Sequence, residues 1–345
     1  PKEKNIYWSS SPSIGWGRKE SLLQGDSHYW GVWWGKEPFE VYNEKVGRFV
    51  NEYGFQSMPE KATFLKFLNE EDLHFDSDAV KNHQKHPIGY ETIREYMERD
   101  YLVPESFEDF IYVSQLLQAS GMRTAIEAHR RDMPYCMGTL FWQFNDCWPV
   151  TSWSAIDYFG NKKAFYYQTK KSFESLLLHM FHNDQEVEIY TINDSFTDYS
   201  GQLKLNIIDF HGKILWSSEI AIEATSNTSK KQTQLSELFL NQFNKKEVAL
   251  QVVLDSKEKT TETLDYFVKP KDLVLQQPTI QVNYVTENTI EISSDKLAKN
   301  VYLQADGITF EENFFDLLPN KKRVIQATGS IQNLKKKTLY DTMRK

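Results

Sequence analysis

The 345-residue chain contains only two cysteines, Cys136 and Cys147, too few for a disulfide framework to hold a chain of this length. Both sit in apolar or aromatic surroundings and read as small buried thiols. Positive charge is also scarce: 40 Lys and Arg stand against 48 Asp and Glu, a net charge of -8. No basic stripe runs along the sequence, which argues against a nucleic-acid partner. The nearest approach, Lys335 to Lys337, reads as a solvated end. No apolar run approaches the ~20 residues that span a bilayer, so the sequence reads as that of a soluble protein. Glycine-rich phosphate loops, a G-x-S-x-G elbow and metal-ligand histidine spacing are all lacking, and no cofactor or metal is expected. Ser9 to Ser13 is serine-rich but has no activating base beside it and reads as a loop. The chain starts at Pro1, not Met, with the polar run PKEKN, so its N-terminus reads as a cut end and the lack of a signal peptide there says nothing of targeting. The compartment stays open among periplasmic, secreted, lysosomal and cytoplasmic.

Aromatic residues, by contrast, are abundant at 14%, with 9 Trp. Trp8, Trp16, Trp30, Trp33 and Trp34 precede residue 52, and Trp142, Trp148 and Trp153 cluster later. Tryptophan serves a core well, but these indoles stand beside Asp, His, Asn and Gln, as a site for a polar ring requires. Up to about residue 173 short apolar runs alternate with helical patterns. Candidate strands are 5–10, 24–30, 48–52 and 135–143. The clearest helix is 107–131, with Phe107, Phe110, Ile111, Ser114, Leu117 and Gly121 on one face, Pro104 before it and Glu105 and Glu108 near its positive end. A shorter helix is expected over 91–99.

Past residue 173 the texture becomes alternating strands, 187–192, 202–208, 213–216, 247–254 and 265–268, separated by polar loops. A second set follows at 279–285, 289–293, 301–304 and 322–326. The expected fold is therefore α/β plus all-β: four βα units over 1–173, then an immunoglobulin-like β-sandwich over 174–269 and a smaller one over 270–345. A complete (β/α)8 barrel takes about 250 residues, so four units amount to the C-terminal half of a TIM barrel. Its two open edges raise the expectation of a homodimer.

The stretch RFVNEYGFQS, residues 48–57, places Glu52 at the end of a predicted strand, before an aromatic, glycine-containing turn. Barrel folds keep their chemistry at that end of the strand. Other strand ends supply Asp26, His28, Trp30, Trp33 and Trp34, and Trp142, Gln143, Asn145, Asp146 and Trp148. Taken singly, Asp26 and His28 are turn caps and Asp146 an ordinary turn residue. Together they describe a carboxylate ringed by indoles, amides and groups that bind hydroxyls. Arg48, four residues before Glu52 on the same strand, is expected on its side as electrostatic support, or else as a structural residue.

Five stretches carry a family resemblance: SSSPS (9–13), GDSHYWGVWWGKEPF (25–39), RFVNEYGFQSMP (48–59), MGTLFWQFNDCWPVTSWSAIDYFGNKKAFYY (137–167) and ENFFDLLP (312–319). In these the chain resembles the C-terminal part of β-mannosidases of glycoside hydrolase family 2. The resemblance implies a retaining hydrolase that removes terminal non-reducing β-D-mannose through a covalent glycosyl-enzyme. It implies Glu52 as the nucleophile; Asn51 and Arg48 are expected beside it as supporting residues. Trp142 would floor the sugar, Asp26, His28, Trp30, Asn145 and Asp146 would bind it, and Trp33 or Trp34 would wall the pocket. The acid/base glutamate would lie outside this chain, which alone is expected to be inactive. β-Mannosides, manno-oligosaccharides or glycans are the expected partners. The alternatives are a β-galactosidase- or β-glucuronidase-like enzyme, or a carbohydrate-binding fragment without turnover.

Overall fold

In the computed structural model residues 9–343 are described. The helix Phe107–Arg131 organises the first region. Ser106 caps it, its side chain accepting from the Asp109 amide at 3.0 Å, and Glu108 and Asp109 occupy the first turn. His129, Arg130 and Arg131 close the last turn, so both ends match the helix dipole. The expected single apolar face proves too narrow, because Tyr112, Val113, Leu116 and Met122 are buried as well. Neighbours surround the helix: the turn Phe39–Asn43, the helix Gly89–Asp100 and the helix Ala164–Ser172. A Cβ at Gly121 would stand 2.2 Å from the Phe39 ring, so glycine here permits the close approach.

Against this helical layer lie three parallel segments. Ser27–His28 pairs with Val50–Glu52, in register Ser27↔Val50 and His28↔Glu52, and Val50 bridges in parallel to Thr139. The pairing is much shorter than the runs 24–30, 48–52 and 135–143 expected from sequence. Backbone turns end it: Gly25 has φ +68° and residues 31–34 form a turn in which Trp33 has φ +76°. Of the predicted strand 5–10, residues 5–8 lie outside the described residues, and Ser9 and Ser10 are not strand. Cys136 is buried, whereas Cys147, expected to be buried too, is exposed on the bend after Asp146.

Two β-sandwiches follow. In the first, Leu176–His182, Glu186–Asn193 and Thr228–Ser236 form an antiparallel sheet. It faces a second sheet ordered Ile214–Ala224, Tyr199–Asp209, Val248–Ser256, Thr260–Tyr266. Leu178, Ile189, Leu205, Ile207, Leu250 and Val252 fill the space between. The last sandwich joins Ile280–Thr286, Thr289–Ser294 and Lys322–Gln326 in one sheet, and Phe315–Leu317, Ala298–Gln304 and Lys335–Lys337 in the other. Its core holds Ile290, Ile292, Val301, Leu303 and Ile325. Lys335–Lys337 is thus an edge strand paired to Tyr302–Gln304, not a loose end. Tyr284, on the strand Ile280–Thr286, is exposed.

Charged side chains bind these parts together. Arg130 reaches out of the long helix to Asp194 Oδ2 at 2.8 Å and to the carbonyls of Ser172 and Glu174. Glu127 meets His179 of the first sandwich at 2.9 Å, and Tyr112 donates to the Asn300 carbonyl of the last at 2.6 Å. Among the described residues no helix is long and apolar enough to cross a membrane.

Candidate active site

Glu52 ends its strand segment with its carbonyl accepting from the Tyr29 amide at 2.8 Å, which fixes the backbone. Its side chain is one-fifth exposed, and Oε2 lies 2.5 Å from His28 Nδ1. A carboxylate only accepts, so Nδ1 carries the proton in that contact, a short charge-assisted one. Trp30 Nε1 approaches the same oxygen at 3.4 Å. Two donors from one neighbouring segment therefore converge on one carboxylate oxygen, which restricts the rotamer of Glu52.

Asp26 anchors the other end of the group. Its Oδ2 accepts from Asn51 Nδ2 at 2.8 Å and from Ser11 Oγ at 2.5 Å, and its Oδ1 from the Ser13 amide at 3.3 Å. Asn51 also donates to Ser11 Oγ at 2.9 Å, and Ser11 Oγ stands 3.4 Å from His28 Nε2. A continuous polar chain thus runs from Asp26 through Ser11 and His28 to Glu52. Ser11 has a part that the sequence did not suggest, since serine-rich loops are common and only the fold brings this one to Asp26.

Trp142 stands on the adjoining segment, its amide donating to the Tyr53 carbonyl at 2.8 Å, with its indole largely exposed. Gly54 makes that approach feasible: a Cβ there would lie 2.2 Å from the Trp142 carbonyl oxygen and 3.1 Å from Trp153 Cδ1. Trp153 packs edge-on against Trp30 at 6.2 Å and so backs an indole that reaches Glu52, a contact missed in the sequence.

Other expected site residues stand elsewhere. Trp33 is 2% exposed and packs in the core against Phe55, His86 and Trp153, while Trp34 is 52% exposed with its ring against His86. Trp34 alone of the pair is available as a wall. Arg48 does not support Glu52. The strand segment begins only at Val50, so alternation does not carry Arg48 to the same side, and its guanidinium lies over the Tyr135 ring at 4.8 Å. Asp146 is buried and committed: it accepts from Ser152 Oγ at 2.7 Å, from Ser154 Oγ at 2.6 Å and from Gln143 Nε2 at 3.2 Å. Burial pushes the neighbouring Lys163 ammonium down to about 8, with Asp146 and Asp157 opposing the shift. Asp146 thus shapes the loop that presents Asn145, which is exposed, and does not itself reach outward.

Residues 185–272 match the Mannosidase Ig/CBM-like domain and residues 275–343 an Ig-fold domain. β-Mannosidase B of Thermothelomyces thermophilus is 27% identical over 95% of this chain. The chain is homologous to β-mannosidases. β-Mannosidase A of Aspergillus flavus (strain ATCC 200026) is 28% identical over 86% of it. The match spans 43% of the first relative and 37% of the second, so the chain is well under half the length of these proteins. The crystal structure of a β-D-mannosidase from Dictyoglomus thermophilum superposes with a TM-score of 0.83 and 29% identity, over 91% of this chain and 40% of that one. The Amycolatopsis orientalis exo-chitosanase CsxA shares the fold, with a TM-score of 0.67 at 13% identity, over 92% of this chain and 46% of that one. The two Ig-like domains are of the kind named for mannosidases, in keeping with the β-mannosidase relatives.

Proposed function

We propose that Glu52 is the nucleophile of retaining β-mannoside hydrolysis, performed by a longer polypeptide of which this chain supplies part. The observation that carries the reading is the Glu52 carboxylate at the end of a parallel strand segment, held by His28 and Trp30. In this reading residues 1–173 are the C-terminal half of a (β/α)8 barrel, and residues 174–269 and 270–345 are the two sandwiches. Support comes from the parallel order 27–28, 50–52, 139, each segment followed by turns or helices, and from the β-mannosidase relatives.

A Glu52 oxygen attacks the anomeric carbon as the bond to the leaving oxygen breaks, and a second carboxyl group, outside this chain, protonates that oxygen. Water then attacks the glycosyl ester, gives its proton to the same group and releases mannose with its configuration retained. Such chemistry calls for two carboxyl groups about 5–5.5 Å apart. His28 and Trp30 keep one Glu52 oxygen occupied, leaving the other for attack. Trp142 offers an apolar ring face to the sugar, and Asp26 and Asn51 hold His28 in place through Ser11.

The test is trapping. The complete polypeptide, treated with an activated 2-deoxy-2-fluoro-β-mannoside and digested, should carry the added sugar mass on the peptide containing Glu52. Glu52→Gln in the same polypeptide should lower turnover of p-nitrophenyl β-mannoside by roughly 10³-fold or more. Labelling at another carboxylate, or full activity in the variant, would overturn the assignment.

A further inference from the structure

Lys163, just before the helix Ala164–Ser172, is 1% exposed. Its Nζ donates only to two backbone carbonyls, Ser57 at 3.3 Å and Ser152 at 3.4 Å, both long for a charged donor. Among the described residues no carboxylate pairs with it directly. The charges that act on it are Asp146, on the loop 143–154, and Asp157. Each is filled by neutral donors: Asp146 by Ser152, Ser154 and Gln143, and Asp157 by Thr63, Asn161 and the Phe159 amide. The long helix meets the same layer with neutral groups. Gln118 Nε2 donates to the Phe55 carbonyl at 2.7 Å and the Trp153 carbonyl at 3.1 Å, and Gln115 Oε1 accepts from the Ala164 amide at 3.1 Å.

Burial lowers the Lys163 ammonium from 10.5 to about 8 against the pull of the two carboxylates. The folded chain therefore gives up that proton more readily than the unfolded one, so the charge works against the fold below about 8. A methionine would fill similar space without that cost. The charge instead joins two segments of the candidate site. Ser57 continues the segment of Glu52 and Ser152 closes the loop 143–154. The two residues bridge antiparallel, the Ser57 amide donating to the Ser152 carbonyl at 3.0 Å. Around Asp146 the same loop turns back on itself, leaving Trp142 and Asn145 exposed.

We infer that Lys163 is a positioning residue for sugar binding: its ammonium holds Asp146 across the buried side of the loop 143–154, and through that carboxylate sets Trp142 and Asn145 against the sugar ring. The inference rests on Trp142 as the residue that meets the sugar. Lys163 itself touches no substrate.

Tryptophan emission and thermal melting of the 345-residue chain test this without turnover, so a failed assignment of Lys163 and a failed assignment of Glu52 give different results. Emission should shift as pH rises through about 8, where the ammonium is lost, and Trp142→Phe should remove most of the shift. Lys163→Met should abolish the shift and, at about pH 7, melt no lower than the parent chain. In the complete polypeptide the same variant should lower kcat/KM for p-nitrophenyl β-mannoside tenfold or more. Added to Asp146→Asn, it should cost less than about twofold further, because it acts through that carboxylate. Emission indifferent to that pH interval, a lowered melting temperature in Lys163→Met, an unchanged kcat/KM, or independent losses in the double variant would each overturn the inference.

Discussion

At the scale of single residues, the adjacent pair Trp33 and Trp34 shows what a sequence withholds. Both are indoles in one aromatic run, yet one enters the core and the other faces out. The left-handed backbone at Trp33, unusual for so bulky a side chain, turns the two apart. No pattern of residue types encodes that turn. Glu52, His28, Trp30, Asp26 and Asn51 were legible because polar residues at the ends of neighbouring strands must converge wherever the strands pair. Of the two readings left open for Arg48, the structural one fits its place over Tyr135, because its strand segment is shorter than the apolar run suggests. Gly54 gives the sharpest prediction at this scale. In Gly54→Ala the new methyl meets a backbone oxygen, so the Trp142 segment must shift, an overpacking that costs about 1–3 kcal/mol. Because Glu52 is two residues away, turnover by the complete polypeptide should fall roughly 10²-fold, as it does when reacting groups are misplaced by an ångström. Melting temperature and kcat, measured together, check both effects; an unshifted kcat would show that Glu52 stays in register.

At the scale of elements, the bounds of the helix Phe107–Arg131 were legible because their signals are local: a proline and acidic residues at the start and sustained periodicity. The strand Leu176–His182 was not, since LLLHMFH shows no alternation of apolar and polar residues. Thr228–Ser236 and Lys335–Lys337 are polar edge strands whose pairing comes wholly from distant neighbours. The long helix also carries the pH dependence of stability. Burial, with the Arg131 charge adding, pushes His129 down from 6.5 to about 3. The unfolded chain therefore takes up a proton below 6.5 that the folded chain refuses, and this contribution is whole above that pH and drains as pH falls toward 3. Burial would raise the Glu127 carboxyl, but Arg123 and the bonds from His179 and Ser172 hold it down at about 2. Its contribution is whole above 4.5 and is lost on acidification toward 2. Melting curves from about pH 8 to about pH 5 should slope downward on the acid side, and His129→Gln should flatten the slope between 6.5 and 5. An identical slope in the variant would place the titrating group elsewhere.

At the scale of the whole molecule, the three parallel segments leave an apolar flank. Phe49, Met137, Leu140, Trp142 and Phe144 are all at least 40% exposed and lie on or beside these segments. Exposed apolar side chains gathered along neighbouring segments point to an interface. The chain on its own should bind 8-anilinonaphthalene-1-sulfonate and associate with rising concentration in sedimentation velocity runs. Leu140→Glu with Phe144→Glu should suppress both, and the complete polypeptide should show neither. A monomeric, dye-silent chain would mean that this flank is already satisfied.

The Arg130 contact has a consequence for how such proteins can be divided. One guanidinium spends its donors on Ser172, Glu174 and Asp194, astride the point where helices give way to sheets. Severing the chain between Ser172 and Glu174 leaves a nearly inaccessible cation with the Ser172 carbonyl alone on one piece, and frees the Glu174 carbonyl and the Asp194 carboxylate on the other. Recombining modules between homologues at that border therefore demands that the arginine and its three acceptors travel together. The natural unit of exchange straddles the border.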